Sequence, residues 1–226
     1  MTTSSASIQF HPGHSGRALH KWLLALVMVT VIALGWKYPL LGFAVPAAMA
    51  TGIVGGLFRG RFVCGNICPR GSFFDTYFNL VGSSKPVPPF LQSMGFRWSA
   101  LAAMMGFMTW RILQDPGSLS HWGSVFWSIC AITTGLGVVL GLAYRPRTWC
   151  SFCPVGTMQN ALGGHKDPLR IDAGCKSCRI CEKNCPMGLS IAEHKEAGQI
   201  PHRDCLKCSS CETTCPAGAL SWDKAA

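Results

Sequence analysis

Eight cysteines near the C-terminus are spaced as two copies of one motif. Each copy reads C-x2-C-x2-C-x3-C-P, the run that binds [4Fe–4S] clusters in bacterial ferredoxins. Three thiolates at three-residue spacing can hold three corners of one cubane, whereas the fourth continues along the chain and reaches the other cluster. The spacing therefore predicts two [4Fe–4S] clusters. One would be held by Cys175, Cys178, Cys181 and Cys215, and the other by Cys205, Cys208, Cys211 and Cys185.

Zinc is the alternative metal for such a cysteine-rich segment. Structural zinc sites usually take pairs of cysteines that are separated by a longer insert. A duplicated triplet, each followed by a fourth cysteine and a proline, does not match that pattern. Gly188 and Gly218 also stand at equivalent places, as a domain with pseudo-twofold symmetry requires. Iron–sulfur ligation is the interpretation that explains both features.

A second repeat lies upstream, where R-x-R-x-x-C-x(2 or 3)-C-P-x-G occurs at 59–71 and again at 145–156. Its cysteines are Cys64, Cys68, Cys150 and Cys153, and four thiolates are enough for one more [4Fe–4S] cluster. The arginines of the repeat would offset the negative charge of such a cluster. A redox-active dithiol pair, transient binding of copper or another metal, and a purely structural role remain as alternatives.

No residues with an evident catalytic role accompany these motifs. The sequence has no Gly-rich nucleotide loop, no nucleophile–base constellation and no flavinylation motif, and Cys130 is expected to be a small core hydrophobe. Haem b is not expected, because no predicted membrane helix carries a histidine well inside it. An electron carrier is therefore favoured over an enzyme acting alone, and a quinol dehydrogenase component remains an alternative.

The elements that must position the cysteines are predicted to be membrane helices. Charged residues make up only 13% of the chain and eight residues are Trp, a composition typical of membrane proteins with aromatic anchors. Four apolar runs approach the ~20 residues of a spanning helix; they cover 18–36, 40–58, 96–113 and 122–144. The first run is too long for the apolar region of a signal peptide. Arg97 and Arg111 in the third run are expected to snorkel to the two membrane surfaces.

The predicted fold is an α-helical transmembrane domain of four helices followed by a small α+β dicluster ferredoxin domain. Residues 1–17 form a polar tail, 18–165 the membrane domain with both C-P motifs, and 166–226 the ferredoxin domain. Basic residues concentrate before the first helix, between the second and third, and after the fourth. The positive-inside rule therefore predicts a multi-pass protein of the inner membrane, with both termini and every cysteine motif on the cytoplasmic side. The same placement explains the net charge of +10 without nucleic acid.

The combination of these motifs resembles a known family. A four-helix membrane domain with Cys64-x3-Cys68-Pro69 and Cys150-x2-Cys153-Pro154, followed by the dicluster motif, is similar to the membrane-bound polyferredoxins NapH, NosR and CcoG. NapH-like proteins are the most similar, since the 226 residues hold neither the periplasmic flavin-bearing domain of NosR nor the immunoglobulin-like domain of CcoG. The resemblance covers about residues 20–222.

What the resemblance implies is electron transfer between the quinone pool or a cytoplasmic donor and a respiratory or maturation partner. The expected function is accordingly a membrane-bound iron–sulfur relay, whose partners are redox proteins and quinone or quinol. The alternative is a redox-sensing protein or a metal-centre maturation factor that uses the same clusters.

Overall fold

The computed structural model describes residues 15–78 and 85–222. Most of the predicted polar tail, residues 1–14, lies outside the described residues. The helices of the first part of the chain are α1 (Ser15–Leu34), α2 (Ala44–Arg59), α3 (Phe62–Asn66), α4 (Pro69–Tyr77), α5 (Pro89–Gln92), α6 (Met94–Ile112), α7 (Leu119–Ala143) and α8 (Pro154–Gly163). Short 3₁₀ helices at Pro39–Phe43 and Thr148–Ser151 precede α2 and lie between α7 and α8.

Two helical stretches are long and apolar enough to cross a membrane. They are Pro39–Arg59, with a mean hydropathy of 1.8, and Leu119–Ala143, with a mean hydropathy of 2.0. These correspond to the second and fourth predicted spans. The apolar part of α1, Leu19–Leu34, is shorter, and α6 carries both Arg97 and Arg111. The first and third spans therefore stay predictions.

Large apolar side chains on these helices point away from the protein interior. Trp22 and Leu26 on α1, Trp110 on α6, and Ile132 and Val139 on α7 are all more than half exposed. A water-soluble monomer rarely leaves such extended apolar surface uncovered.

The C-terminal part is a small α+β unit with internal symmetry. Strand β1 (Arg170–Ile171) pairs antiparallel with β2 (Leu220–Ser221), with Arg170 opposite Ser221. Short helices α9 (Ile180–Lys183) and α10 (Ser210–Thr214) begin at equivalent places in the two cysteine motifs. The buried core beneath them consists of Leu169, Ile171, Cys181, Ile191, Ile200, Cys211 and Leu220.

The backbone of the two cysteine motifs repeats as well. Ser177 and Arg179 on either side of Cys178 have left-handed φ angles of 51° and 57°, and Lys207 and Ser209 on either side of Cys208 have 52° and 58°. The equivalent glycines Gly188 and Gly218 are also left-handed, at 69° and 59°. Alternation of left- and right-handed residues turns successive N–H groups toward one side, which forms a concave surface for an anionic group.

Candidate iron–sulfur centres

Four cysteines line one cavity in the ferredoxin part. Cys185, Cys205, Cys208 and Cys211 all border it, together with Met187, Leu206 and other apolar residues. Cys185 belongs to the first motif by sequence, yet it lies with three cysteines of the second. The structure thus brings together the same four residues that the spacing assigns to one cluster.

Cysteines of the other predicted set pack on the same small core. Cys181 is buried in it, Cys175 and Cys215 pack against it, and Cys178 is exposed. Here too the fourth cysteine, Cys215, is contributed by the other motif. The two sets therefore differ in their access to solvent: one is enclosed and the other has a ligand at the surface.

Burial keeps these thiols protonated in the absence of a metal. Desolvation raises the pKa of Cys205 to about 12 and the pKa of Cys181 to about 11, and it also raises the pKa of Cys185 and Cys211. Because a metal binds the thiolate, cluster assembly must release these protons, and metal ligation then contributes to the folding free energy of the small domain.

The upstream cysteines meet at the end of the helical domain. Cys64 lies on α3 and Cys150 in the second 3₁₀ helix, whereas Cys68 and Cys153 are the residues that precede α4 and α8. Proline at the first position of each helix fixes its start and keeps the preceding cysteine extended. Burial raises the pKa of Cys64, Arg61 opposes that shift, and Cys68, Cys153 and Cys150 each raise the pKa further. All four thiols are therefore close neighbours, and we call them the four-cysteine site.

One arginine of each upstream repeat forms a hydrogen bond to the other repeat. Arg61 of the first repeat donates from Nη2 to the carbonyl oxygen of Cys150 at 2.5 Å. Arg147, its equivalent in the second repeat, donates from Nη1 to the carbonyl oxygen of Cys64 at 2.7 Å. Each guanidinium thus fixes the backbone at the first cysteine of the other repeat. Because the contact is reciprocal, both repeats need the arginine as well as the cysteine pair.

The glycines of the repeat make room for these arginines. A Cβ atom on Gly71 would lie 2.3 Å from Nη1 of Arg147, and one on Gly156 would lie 2.7 Å from Nη2 of Arg61. No side chain fits at either position unless the guanidinium moves.

Each exchanged arginine has a carboxylate partner. Asp75 on α4 accepts from Arg147 at 2.7 and 2.8 Å and from Lys21 at 2.8 Å. Burial alone would raise the pKa of Asp75, but the ion pairs with Arg147 and Lys21 lower it to about 2. Asp75 is therefore ionised throughout the physiological range.

Asp204 is the partner of Arg61, and it connects the ferredoxin part to the helices. Its carboxylate accepts from Arg61 at 2.7 Å, from Arg97 at 2.8 and 2.6 Å, and from Asn160 at 2.6 Å. Burial acts to raise the pKa of Asp204, and the hydrogen bonds from Arg97 together with the charge of Arg61 lower it below its usual range. Asp204 immediately precedes Cys205, so this contact fixes a cluster loop directly onto the helical domain.

The expectation that Arg97 snorkels to the membrane surface is wrong in its detail. Arg97 is 2% exposed and is enclosed in the contact with Asp204. Its charge within an apolar run was the signal that sequence reasoning underused, since an ionisable residue in such a run usually has a specific partner. Arg111, at the other end of α6, donates to Gln114 in an exposed position.

The four-cysteine site adjoins the enclosed ferredoxin cavity. Met187 and Leu206 of the ferredoxin part form one buried cluster with Cys64 and Cys150, and Cys185 and Cys208 pack against that cluster. A Cβ atom on Gly65 would lie 1.9 Å from the carbonyl oxygen of Leu206, so the glycine permits this close approach. Met187 and Leu206 are the buried apolar side chains at this junction, and Leu189 packs against them.

Unpaired donors at the four-cysteine site fit an anionic group. Among the described residues, four buried side-chain N–H groups lack a hydrogen-bond partner, and two of them, Nε of Arg61 and Nε1 of Trp149, belong to the upstream repeats. Such groups are costly unless something accepts from them. The sulfurs of a cluster are acceptors of the appropriate charge. In the described part of the chain, no group of three or more His, Cys, Asp or Glu is arranged around a single ion.

Cys130 has a polar neighbour that the sequence does not indicate. It is buried in α7, as expected of a core hydrophobe, but Nη2 of Arg70 lies 3.3 Å from its sulfur. The Arg70 guanidinium also lies over the Trp149 ring, 5.8 Å from the ring centroid. Arg70 thereby adds a third cation near Cys68 and Cys153.

Comparison with known proteins identifies the same segments. Residues 41–88 and 124–171 each match a family described as a 4Fe-4S binding domain, and residues 174–220 match a 4Fe-4S dicluster domain. The two matches to one family coincide with the two upstream repeats. No solved structure matches the chain.

Curated relatives are distant. An uncharacterized protein of Methanocaldococcus jannaschii is 27% identical over 181 residues, which cover 75% of this chain and 67% of the relative. The methylamine utilization ferredoxin-type protein MauN of Paracoccus denitrificans is 29% identical over 170 residues, and the aligned region spans 67% of this chain but only 56% of MauN. The specific resemblance to NapH, NosR and CcoG remains a prediction. The chain is an iron–sulfur protein of the electron-transfer type that contains 4Fe-4S ferredoxin-type domains.

Proposed function

We propose that this protein is a membrane-bound electron carrier in which three iron–sulfur centres form one relay. Two are [4Fe–4S] clusters at the ferredoxin cysteines, and the third is a cluster at Cys64, Cys68, Cys150 and Cys153. The observation that carries the proposal is the contact of Cys64 and Cys150 with the buried cluster against which Cys185 and Cys208 pack. The relay would connect the quinone pool or a cytoplasmic donor with a respiratory partner of the NapH-like kind.

Attachment to the inner membrane is supported by two apolar helices and by exposed apolar surface. Pro39–Arg59 and Leu119–Ala143 meet the length and hydropathy of a span. The apolar faces of α1 and α6 are equally exposed, so we place these two helices in the bilayer as well. A four-span domain would put every cysteine motif at its cytoplasmic end, since both repeats follow helices for which the distribution of basic residues predicts a cytoplasmic end.

The residues around the cysteines have separable roles. When bound, the clusters supply reversible one-electron transfer that needs no bond-making by the protein. The thiolates hold them, and Arg61 and Arg147 place positive charge beside the four-cysteine site. Met187 and Leu206 exclude water between that site and the enclosed ferredoxin cavity. Exclusion of water lowers the local dielectric, which strengthens the interaction of the arginines with an anionic cluster.

Iron and acid-labile sulfide analysis of the anaerobically purified full chain tests the proposal. Three clusters correspond to about 12 iron atoms per chain, and two to about 8. Substitution to Ser at any one of Cys64, Cys68, Cys150 and Cys153 should remove the same spectroscopic centre and leave about 8 iron atoms. Cys130→Ser is the matched control and should lose none. In the ferredoxin part, Cys185→Ser should lose the centre that Cys208→Ser loses.

Each alternative has its own result. Two independent dithiols would give variants in one motif that leave the chemistry of the other intact. Structural cysteines would give variants that keep both their iron and the reduction of the ferredoxin clusters by a membrane donor. Zinc without acid-labile sulfide would contradict the iron–sulfur assignment altogether.

A further inference from the structure

The two ferredoxin cysteine loops share a motif but differ in surroundings. In the second loop, Leu206 and Lys207 are 2% and 8% exposed, because the loop packs against the helical domain. Lys207 is held there by a hydrogen bond from Asn66 to its carbonyl oxygen. In the first loop, by contrast, residues 172–180 are all exposed except Cys175, which is half-buried. One copy of the motif is therefore an internal contact and the other a free surface.

The side chains of the two copies differ in charge, in keeping with the exposure of one loop and the burial of the other. Lys176, Arg179 and Lys183 of the exposed copy occupy the positions of Leu206, Ser209 and Thr213 in the enclosed copy. Leu206 is the residue that packs on the four-cysteine site. The duplicated motif thus serves as an internal reference, since the ligand spacing is common to both copies and these three positions are cationic only in the exposed one. The enclosed copy carries Lys207 at the position of Ser177 and buries it.

The cations are available for a partner. Lys176, Arg179 and Lys183 are all exposed, and within the described residues no ion pair is formed by either lysine. Arg179 lies 3.9 Å from Glu182 and 3.8 Å from Glu193, at 62% exposure of its side chain. Exposed pairs of this length are weak and are readily exchanged for a charge on another protein. Cys178, the exposed ligand, lies between Lys176 and Arg179 in the sequence.

We propose that the exposed loop 172–180 with Lys183 is the docking surface for a soluble, acidic one-electron carrier protein whose own cofactor lies near its surface. This inference rests on the proposed relay function, because it makes the exposed ferredoxin set the point of exchange with the cytoplasm. Acidic patches on the carrier would face the three cations, and their attraction would steer the carrier toward Cys178. Charge complementarity of this kind acts mainly on the association rate and on its dependence on salt.

The test is a binding measurement on the full chain in nanodiscs of neutral lipid, with a purified acidic soluble ferredoxin as the probe. Lys176→Gln with Lys183→Gln removes two cations from the loop, and Arg179→Ser adds the residue that the enclosed copy carries. The association rate at low ionic strength should fall by about tenfold in the triple variant, with a shallower salt dependence and little change in dissociation. Lys195→Gln removes a cation outside the loop and should change the rate by less than about twofold.

Three results would overturn the proposal. The first is an association rate that the loop substitutions leave unchanged. The second is an equal decrease in the control variant. The third is binding of the loop to anionic phosphatidylglycerol vesicles without any binding of the ferredoxin. That result would assign the cations to lipid. Iron and sulfide assays on the same samples report separately on the relay. If the clusters are present and the association rate does not depend on the loop charges, only the docking surface is refuted.

Discussion

At the scale of single residues, Asp204 joins the two parts of the molecule. Its carboxylate neutralises the buried guanidiniums of Arg61 and Arg97 and accepts from Asn160. Removing one member of a buried ion pair leaves an uncompensated charge, which costs more than the pair itself contributes. The residue before Cys205 is therefore as important to the attachment of this loop as the ligands are to its cluster.

Asp204→Asn should destabilise the contact between the ferredoxin part and the helices. The expected cost is about 3 kcal/mol, because two buried cations lose their counter-charge. Limited proteolysis and the thermal midpoint of the full chain measure it, with earlier cleavage near residues 164–169 as the expected result. Asp172→Asn, at an exposed position of the other cysteine loop, is the control. Equal stability of the two variants would show that Asp204 does not hold the contact.

At the scale of elements, the upstream repeat is a pair of interlocked units. Each unit is a helix, a cysteine pair, a Cys-Pro step and a second short helix, and each contributes an arginine to the other. The sequence shows that the units are copies, and the structure shows that they contact each other through the features they share. The glycine two residues after each Cys-Pro proline is part of that contact.

Gly71→Ala and Gly156→Ala should each be destabilising. Both glycines lie in the first turn of a helix, where Ala is the better helix former, but the added Cβ meets a buried guanidinium. Overpacking of this kind costs about 1–3 kcal/mol. Gly95→Ala is the matched control, because a Cβ there has nothing within 4 Å, and it should be neutral or slightly stabilising. Denaturant or thermal unfolding of the three variants compares them.

If all three alanine variants were equally stable, the arginines would be free to move. The exchange between the repeats would then not depend on the close approach at these glycines.

At the scale of the whole molecule, the cysteine motifs gather at one end of the helices. The four-cysteine site contacts the enclosed ferredoxin set, and cysteines of both ferredoxin sets pack on one small core, with Cys178 exposed. Such an arrangement fits the proposed relay between a membrane and the cytoplasm, provided that the helices are oriented as the distribution of basic residues predicts.

Reporter fusions test that orientation. A reporter placed after Ala226 should be active only as a cytoplasmic reporter, and one inserted at 114–120 should report the periplasmic side, because the basic loops remain inside. A companion insertion at 37–38 should agree with the one at 114–120. The reverse pattern would place the cysteine motifs outside. A mixed pattern would mean that fewer than four helices span.

The ligand chemistry of this protein follows from local sequence patterns. The spacing of the eight ferredoxin cysteines is set by the reach of a short loop around a cubane, so the dicluster domain could be recognised without a structure, and the comparisons support it. The upstream repeat and the two long apolar helices are local patterns too, and they were predicted for the same reason. The family subtype and the first and third spans remain predictions.

Which distant residues contact each other depends on the packing of separate elements. Arg61 and Asp204 are 143 residues apart in the chain, and no local spacing relates them. The exchange of Arg61 and Arg147, the burial of Arg97 and the seating of Leu206 on the four-cysteine site likewise depend on how separate elements pack. The same holds for the difference between the two cysteine loops. Their motif is identical because ligand geometry is local, whereas one is enclosed and the other exposed because only one of them packs against the helices.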